Sequence, residues 1–485
     1  MINKLKILGT FFRSAVLYGT VLLSFTQCGS RTEAENNSSS EAKKAEFWLT
    51  TADQKTLFQQ QNPISFRSSG NVGSSLIELY PAETYQTVDG FGYTLTGGSV
   101  EVINRLPEAQ KNSLLQELFG NSTTSIGISY LRISMGASDL DREVFSYNDL
   151  AAGETDPELV HFTLKKDEAL IEMLKKILQI NPQIKIIATP WSPPVWMKDN
   201  GSSIGGSLKP EFYSVYAQYF VKYIQGMAQN GINIDAITPQ NEPLHPGNNP
   251  SMLMLAEQQA AFIKNNLGPA FQQNKIQTKI VLYDHNCNKP EYPISILNDP
   301  ETRKFVDGSA FHLYEGDISA LSTVHNAHPD KNLYFTEQWT GAQSDFQGDL
   351  MWHVKNVMIG SMKNWSKTAL EWNLANDENY HPHTPGGCTE CKGALTIAQN
   401  GTVNRNVGYF IIAHASKFVT AGSKRIKSTS ENGVENVAFV RPDGKITIIM
   451  MNDQPNEHNF AIRYNGKVGS ATIPGYSVGT FILPK

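Results

Sequence analysis

Glu242 and Glu337 each follow a short run that reads as a buried strand. Ile232-Asn233-Ile234-Asp235-Ala236-Ile237 leads into Thr238-Pro239-Gln240-Asn241-Glu242-Pro243, and Asn332-Leu333-Tyr334-Phe335 leads into Thr336-Glu337-Gln338-Trp339. Amide, proline and tryptophan side chains border both carboxylates, unlike the charged helix faces on which ordinary surface glutamates sit. Two carboxylates at strand ends can work together across the anomeric carbon of a sugar, one as acid and then base, the other as nucleophile. A lone glutamate after a strand would carry little meaning. The pair, with Asn241 directly before the first, carries the chemistry expected here.

Residues this far apart in sequence meet only if strand C-termini converge. From about Val88 to Phe418, strand-like runs alternate with amphipathic helical stretches. The strand candidates are Asp89–Tyr93, Tyr130–Ser134, Lys185–Thr189, Asp235–Thr238, Ile280–Asp284, Ser309–His312, Leu333–Thr336 and Lys367–Trp372. Helices are expected over Lys166–Gln179, Phe212–Gln229, Met252–Asn266, Leu350–Trp365 and Gly408–Phe418. In the first of these, Leu170, Ile171, Leu174, Ile177 and Leu178 share one face. Eight strands alternating with helices fit an α/β fold of the (β/α)8 TIM-barrel type better than an open sheet. After Phe418 the pattern becomes short alternating runs parted by turns such as Asp443-Gly444 and Asn465-Gly466. Glu46–Thr50 and Ser75–Tyr80 also read as strands. The expected assembly is a catalytic barrel over residues 88–418 with a side β-sandwich made from residues 46–87 and 419–485.

A length of 485 residues suits one large domain with a smaller companion. The net charge of −5 gives no sign of a nucleic-acid surface. Lys4, Lys6 and Arg13 precede an apolar run from Ala15 to Phe25, which has the shape of a signal peptide and is too short for a spanning helix. Cys28 and a polar tract then follow, and the whole resembles a bacterial lipoprotein signal, with Gln27 where a small residue normally stands. Residues 1–27 are therefore read as the signal, Cys28 as the lipidation site and residues 28–45 as a polar tether. The protein is expected to leave the cytoplasm, anchored by lipid or freely secreted. Cys287, Cys388 and Cys391 are the remaining cysteines. Export permits a disulfide between Cys388 and Cys391; free thiols, or a zinc site with His381 and His383, are the alternatives.

Taken in order, these motifs resemble glycoside hydrolase family 30, the group that contains glucosylceramidase. Val88-Asp89-Gly90-Phe91-Gly92, Leu131-Arg132-Ile133-Ser134 through Asp139, and Ala188-Thr189-Pro190-Trp191-Ser192-Pro193-Pro194 fall at the first three strands. Glu242 falls at the fourth and Glu337 at the seventh, with His312-Leu313-Tyr314, Glu371-Trp372-Asn373-Leu374 and Ala413-His414-Ala415-Ser416-Lys417-Phe418 completing the set. The resemblance implies a barrel with a side sandwich, retention of configuration and no cofactor.

Glu337 is then the expected nucleophile, and Glu242 the acid and base, whose pKa should be raised in the free protein. Asn241 is placed to bond a sugar 2-hydroxyl. Arg132 resembles the family's arginine that keeps the nucleophile ionised, and Asp139 and Trp191 look like its glycone-binding residues. His312 and Tyr314 flank Leu313, so period-two alternation sends both to one side, towards Glu337. Trp372 offers a platform for a sugar face. Glucosylceramidases carry a tryptophan where this chain has Leu313. The substrate expected is a β-glucan or another β-glucoside, with an endo-β-1,6-glucanase preferred. A glucosylceramidase-like enzyme and an exo-acting β-glucosidase or β-xylosidase are alternatives. Two further readings are a non-catalytic glycan-binding protein on the same barrel, and a metal-dependent hydrolase using His381 and Cys388. No nucleic-acid partner is expected, and membrane contact only through the lipid on Cys28.

Overall fold

The computed structural model describes residues 44–68, 75–430 and 434–485. The signal segment and Cys28 lie outside the described residues. So does most of the tether, whose last residues, Lys44 and Ala45, instead begin a strand that runs to Thr51.

Eight parallel strands close into a barrel. In chain order they are Gly90–Thr94, Tyr130–Ser134, Lys185–Thr189, Ala236–Ile237, Lys279–Asn286, Val306–His312, Asn332–Glu337 and Ser366–Glu371. Tyr130, Ile187, Ala236, Val281, Ala310, Tyr334 and Leu370 fill its interior, one from each of seven strands. The helices pack outside on the opposite faces of the same strands, so the strands are buried on both sides and read as continuous apolar runs. The fourth strand is confined to Ala236–Ile237, although Asp235 N and Thr238 N on either side donate to Ile186 O and Ala188 O of the third strand. Met252–Leu255 is not helical: the helix there begins at Ala256, where Gln258 accepts from the Leu255 backbone amide. The expected Leu350–Trp365 helix starts earlier, at Phe346, and widens into a π-helical stretch over Val354–Ser361.

The sandwich is one nine-stranded sheet of mixed origin. Lys44–Thr51 pairs antiparallel with both Gln59–Ser65 and the C-terminal strand Ser477–Leu483. Leu76–Thr87 lies between Lys424–Ser428 and His458–Tyr464. Paired backbone bonds between Arg67 and Val468 bring the two edges of the sheet together. Alternation does the sorting: Ala45, Phe47 and Leu49 point inward, and Phe47 stacks on Phe481 with ring centroids 4.4 Å apart. His414 rivets sandwich to barrel. It sits on the last barrel helix, Val407–Ser416, and its ring nitrogens bond Thr50 Oγ1 at 2.8 Å and Thr480 Oγ1 at 2.9 Å. Burial pushes its pKa down to about 3, so it serves as a neutral bridge.

Phe481→Ala removes the ring that Phe47 stacks on and Phe460 meets edge-on. A loss of roughly 3–5 kcal/mol is expected, read from the shift in a urea unfolding curve.

Candidate active site

Strand C-termini form one mouth of a parallel barrel, and the candidate catalytic and sugar-binding residues lie in those strands or in the loops that follow them. Glu337 ends the seventh strand, and in register beside it on the sixth is His312. Glu242 follows the fourth strand, and an oxygen of its carboxylate lies within 4.8 Å of one from Glu337. Asp139, Trp191, Asn241, Glu242, Tyr314, Glu337 and Trp372 line a single cleft of about 430 Å³. Arg132 and His312 stand behind that surface, without exposure, and hold it in place.

Arg132 is the centre of the arrangement. Its Nη1 donates to Glu337 Oε2 at 2.5 Å, and its Nη2 donates to Asn241 Oδ1 at 2.6 Å and Asp284 Oδ2 at 2.9 Å. The guanidinium also lies 4.8 Å from the Trp191 ring and 5.8 Å from that of Trp372. Because Arg132 can only donate, Asn241 must turn its carbonyl oxygen to it, which leaves the amide Nδ2 for the cleft. Tyr314 Oη donates to Glu337 Oε1 at 2.8 Å, as alternation across Leu313 requires.

Asp284 is the residue that reading the sequence missed. It lies near the end of the fifth strand, fully buried, and four further groups converge on its carboxylate: Thr189, Thr238 and Thr336 hydroxyls and His312 Nε2. It gets there through an irregularity between Tyr283 and His285, where Tyr283 and Asp284 take φ of 71° and 64°. Such a bulge re-aims side chains and breaks simple alternation. Burial opposes its charge, but Arg132, His312 and Thr336 hold the carboxyl far below the usual range.

That anion fixes the histidine. An ionised carboxylate only accepts, so His312 Nε2 must carry a hydrogen towards Asp284 Oδ1, 3.1 Å away. His312 Nδ1 is then left facing Glu242 Oε1 at 3.1 Å, and one proton serves both atoms. Burial disfavours the imidazolium, yet Glu337, Asp284 and Glu242 outweigh it and push His312 up to about 9. The raised pKa expected for Glu242 is therefore corrected. Burial lifts its carboxyl, but the hydrogen bond and charge of His312 bring it below the ordinary value. The proton is stored on the histidine. Glu337 is held above its ordinary value, mainly by burial, against the pull of His312 and Arg132. Asp139 is pushed up to about 7 by burial and by the nearby Glu337 charge.

Cys388 and Cys391 are joined as a disulfide at the cleft wall, packed with Leu140, Trp191, Trp372 and Trp339. Neither sulfur is a thiolate ligand, and His381 and His383 line a different cleft with Arg105, Arg142 and Asp377. Those four residues do not form one metal site. Among the described residues, Glu242, His312 and Glu337 are the group whose donor atoms lie close enough to share a cation. Arg132 and the His312 imidazolium already supply positive charge at that point. His285, buried with Nε2 4.0 Å from Glu242 Oε1, and Gln240, which donates to the Trp191 and Asn241 carbonyls, were also not foreseen.

A closed parallel barrel with two glutamates facing each other across a cleft at its C-terminal mouth defines a glycoside hydrolase. Comparison with known proteins agrees. Residues 88–419 match the glycosyl hydrolase family 30 TIM-barrel domain, and residues 422–481 match that family's beta sandwich domain. The chain belongs to glycosyl hydrolase family 30. Among similar proteins is an endo-1,6-beta-D-glucanase of Neurospora crassa, 35% identical over 86% of this chain and 91% of the relative. The lysosomal acid glucosylceramidase of Mus musculus is 27% identical over 84% of this chain and 83% of its own length. Among solved structures, the endo-beta1,6-glucanase BT3312 superposes with a TM-score of 0.85 at 34% identity, over 91% of this chain and all of that one.

Asp284→Ala strips Arg132 and His312 of a shared buried anion. It should cost roughly 3–5 kcal/mol in chemical denaturation, the usual penalty for breaking a buried charged pair. His312, raised in the folded protein, contributes stability that is complete below its unfolded pKa of 6.5 and is lost as pH rises through about 9. The stability gap between wild type and His312→Gln should therefore shrink between those pH values, measured by unfolding at each pH.

Proposed function

We propose that this chain is a retaining endo-β-1,6-glucanase that acts outside the cytoplasm, lipidated at Cys28. The observation that carries the chemistry is the approach of the Glu242 and Glu337 carboxylates, within 4.8 Å oxygen to oxygen. A retaining mechanism places its carboxyls about 5–5.5 Å apart, whereas an inverting one needs about 6.5–9.5 Å to admit a water between them. The polymer and linkage follow from the similarity to proteins named as endo-1,6-β-glucanases, which exceeds that to the glucosylceramidase. Exposed His245 and half-buried Asn248 and Trp339 continue the cleft beyond the carboxylates, which suits a chain rather than a single sugar. A disulfide at the site suits an exported protein.

The glycone sits against Trp191 and Trp372, with Asp139 and Asn241 Nδ2 on its hydroxyls. Glu337 forms a bond to the anomeric carbon as the bond to the leaving oxygen breaks. That oxygen keeps the electron pair and takes from Glu242 the proton that His312 Nδ1 passed across their 3.1 Å contact, leaving Glu242 a carboxylate and His312 neutral. With Glu337 esterified, its charge no longer sustains the imidazolium. Glu242 then takes a proton from water, whose oxygen replaces Glu337 at the anomeric carbon with net retention.

Wild-type protein incubated with β-1,6-glucan should release short gluco-oligosaccharides early, with β anomers first in the proton spectrum. Glu337→Gln should abolish turnover, and Glu242→Gln should lower kcat by roughly 10²–10⁴-fold. Intact β-1,6-glucan beside a cleaved aryl β-glucoside would overturn the polymer assignment and leave the double displacement standing.

A further inference from the structure

The loop from Gly386 to Gly393 contributes Cys388 and Cys391 to the cleft wall, and the proposed reaction assigns it no role. Its two ends are held by different partners. The Cys391 end is tied down: Cys391–Lys392 pairs antiparallel with Thr340–Gly341, just after the nucleophile. Ala342 N donates to Glu390 O at 2.8 Å, and Thr340 Oγ1 to Lys392 O at 3.1 Å. Buried Asn376 grips the same end, donating to Cys391 O at 2.6 Å and accepting from Gly393 N at 3.0 Å.

The Cys388 end is held from Asn249 and Asp139: Thr384 Oγ1 donates to Asn249 O, Asn249 Nδ2 donates to Pro385 O at 2.8 Å, and Gly387 N donates to Thr384 O at 2.9 Å. Cys388 N donates to Asp139 Oδ2 at 3.1 Å, and Thr384 N donates to the Asp139 carbonyl at 2.8 Å. The approach is so close that a Cβ on Gly387 would lie 2.3 Å from the Asp139 carbonyl oxygen. Asp139 is buried and lines the cleft, and the Cys388 amide is a protein donor to its carboxylate. Cys388 itself is joined to Asp139 through its amide and to the Cys391 anchor through the disulfide. Both cysteines pack in one cluster with Trp191 and Trp372, the walls of the glycone pocket.

We propose that the Cys388–Cys391 disulfide is a positioning element for sugar binding, holding the Cys388 N–H on Asp139 so that this carboxylate meets the glycone in one orientation. The identity of the ligand rests on the glucanase reading. Opening the bridge with a dithiol converts it to two thiols while the reagent is oxidised to its cyclic disulfide. The two sulfurs then move apart, and the Cys388 amide is no longer carried by the Cys391 anchor.

The test measures gentiobiose, a β-1,6-linked glucose pair, binding to Glu337→Gln protein by titration calorimetry, before and after treatment with dithiothreitol. Reduction should weaken binding about tenfold, or about 1.4 kcal/mol. The triple variant C388S/C391S/E337Q should bind as weakly as the reduced protein and ignore the reagent. Adding Asp139→Asn should cost much in the oxidised protein and little in the Ser variant, because the two changes disable one interaction. In the otherwise wild-type enzyme, reduction should raise KM more than it lowers kcat, which general loosening of the fold would not do selectively. Equal affinity with both thiols confirmed by titration, or fully additive losses, would overturn the proposal. Should the Ser variant fail to fold, reduction of the folded protein decides alone. Failure of oxidised wild type to cleave β-1,6-glucan counts against the glucanase reading, while the redox dependence of gentiobiose affinity still decides this one.

Discussion

The buried pair of Arg132 and Asp284 is the interaction on which the site depends. Neither has any exposure, so each would be costly alone. Together they fix what surrounds them: Arg132 orients Glu337 and Asn241, and Asp284 orients His312 and three threonine hydroxyls. Around the cleft, the Arg132 guanidinium and the His312 imidazole face the carboxyl groups of Asp284, Glu242 and Glu337. The Glu337 carboxylate faces the point where an oxocarbenium-like transition state would develop positive charge. Preorganised charge of the right sign at that point is worth most in a water-poor cleft.

Backbone strain accompanies this arrangement. Glu242, Tyr283 and Asp284 all adopt positive φ, at 43°, 71° and 64°. Non-glycine residues in that region cost roughly 1–3 kcal/mol each and persist where surrounding bonds over-determine them. Here they are over-determined. Glu242 N donates to Asp284 O at 3.0 Å, which couples two strained residues directly, and buried Gln259 accepts from Tyr283 N at 3.1 Å. The turn that presents the acid and the bulge that presents its buried support are therefore one mechanical unit.

This explains what could and could not be read from the sequence. Glu242, Glu337, Tyr314 and the barrel strands follow from rules of period and position, and those rules hold along regular strands. Asp284 falls in a bulge, where alternation fails, and its five bonding partners come from five different strands or their ends, which no local pattern reveals. A signal was nonetheless present: Thr189, Thr238 and Thr336 each stand at or just past the end of a barrel strand, and hydroxyls at three such positions call for one acceptor among them. Glu242's depressed pKa was illegible for a related reason. It depends on the tautomer of His312, which Asp284 sets. The strand Gln59–Ser65 was missed because its glutamine-rich run has no apolar alternation, and it is held by pairing with Lys44–Thr51 alone.

The depth of each residue separates chemistry from selectivity. Arg132, Asp284 and His312 form a floor without exposure that responds to the charge of the two glutamates and has no contact with whatever sugar lies above. Selection among β-glucosides must come from the layer over that floor. Leu313 is buried in the barrel-helix core, so the position where glucosylceramidases carry a tryptophan offers this cleft no shelf. Half-buried Trp339, beside the disulfide loop and two residues beyond the nucleophile, supplies an aromatic face from another direction. A buried polar floor beneath a separate aromatic wall lets one layer hold the double displacement while the other meets the glycoside.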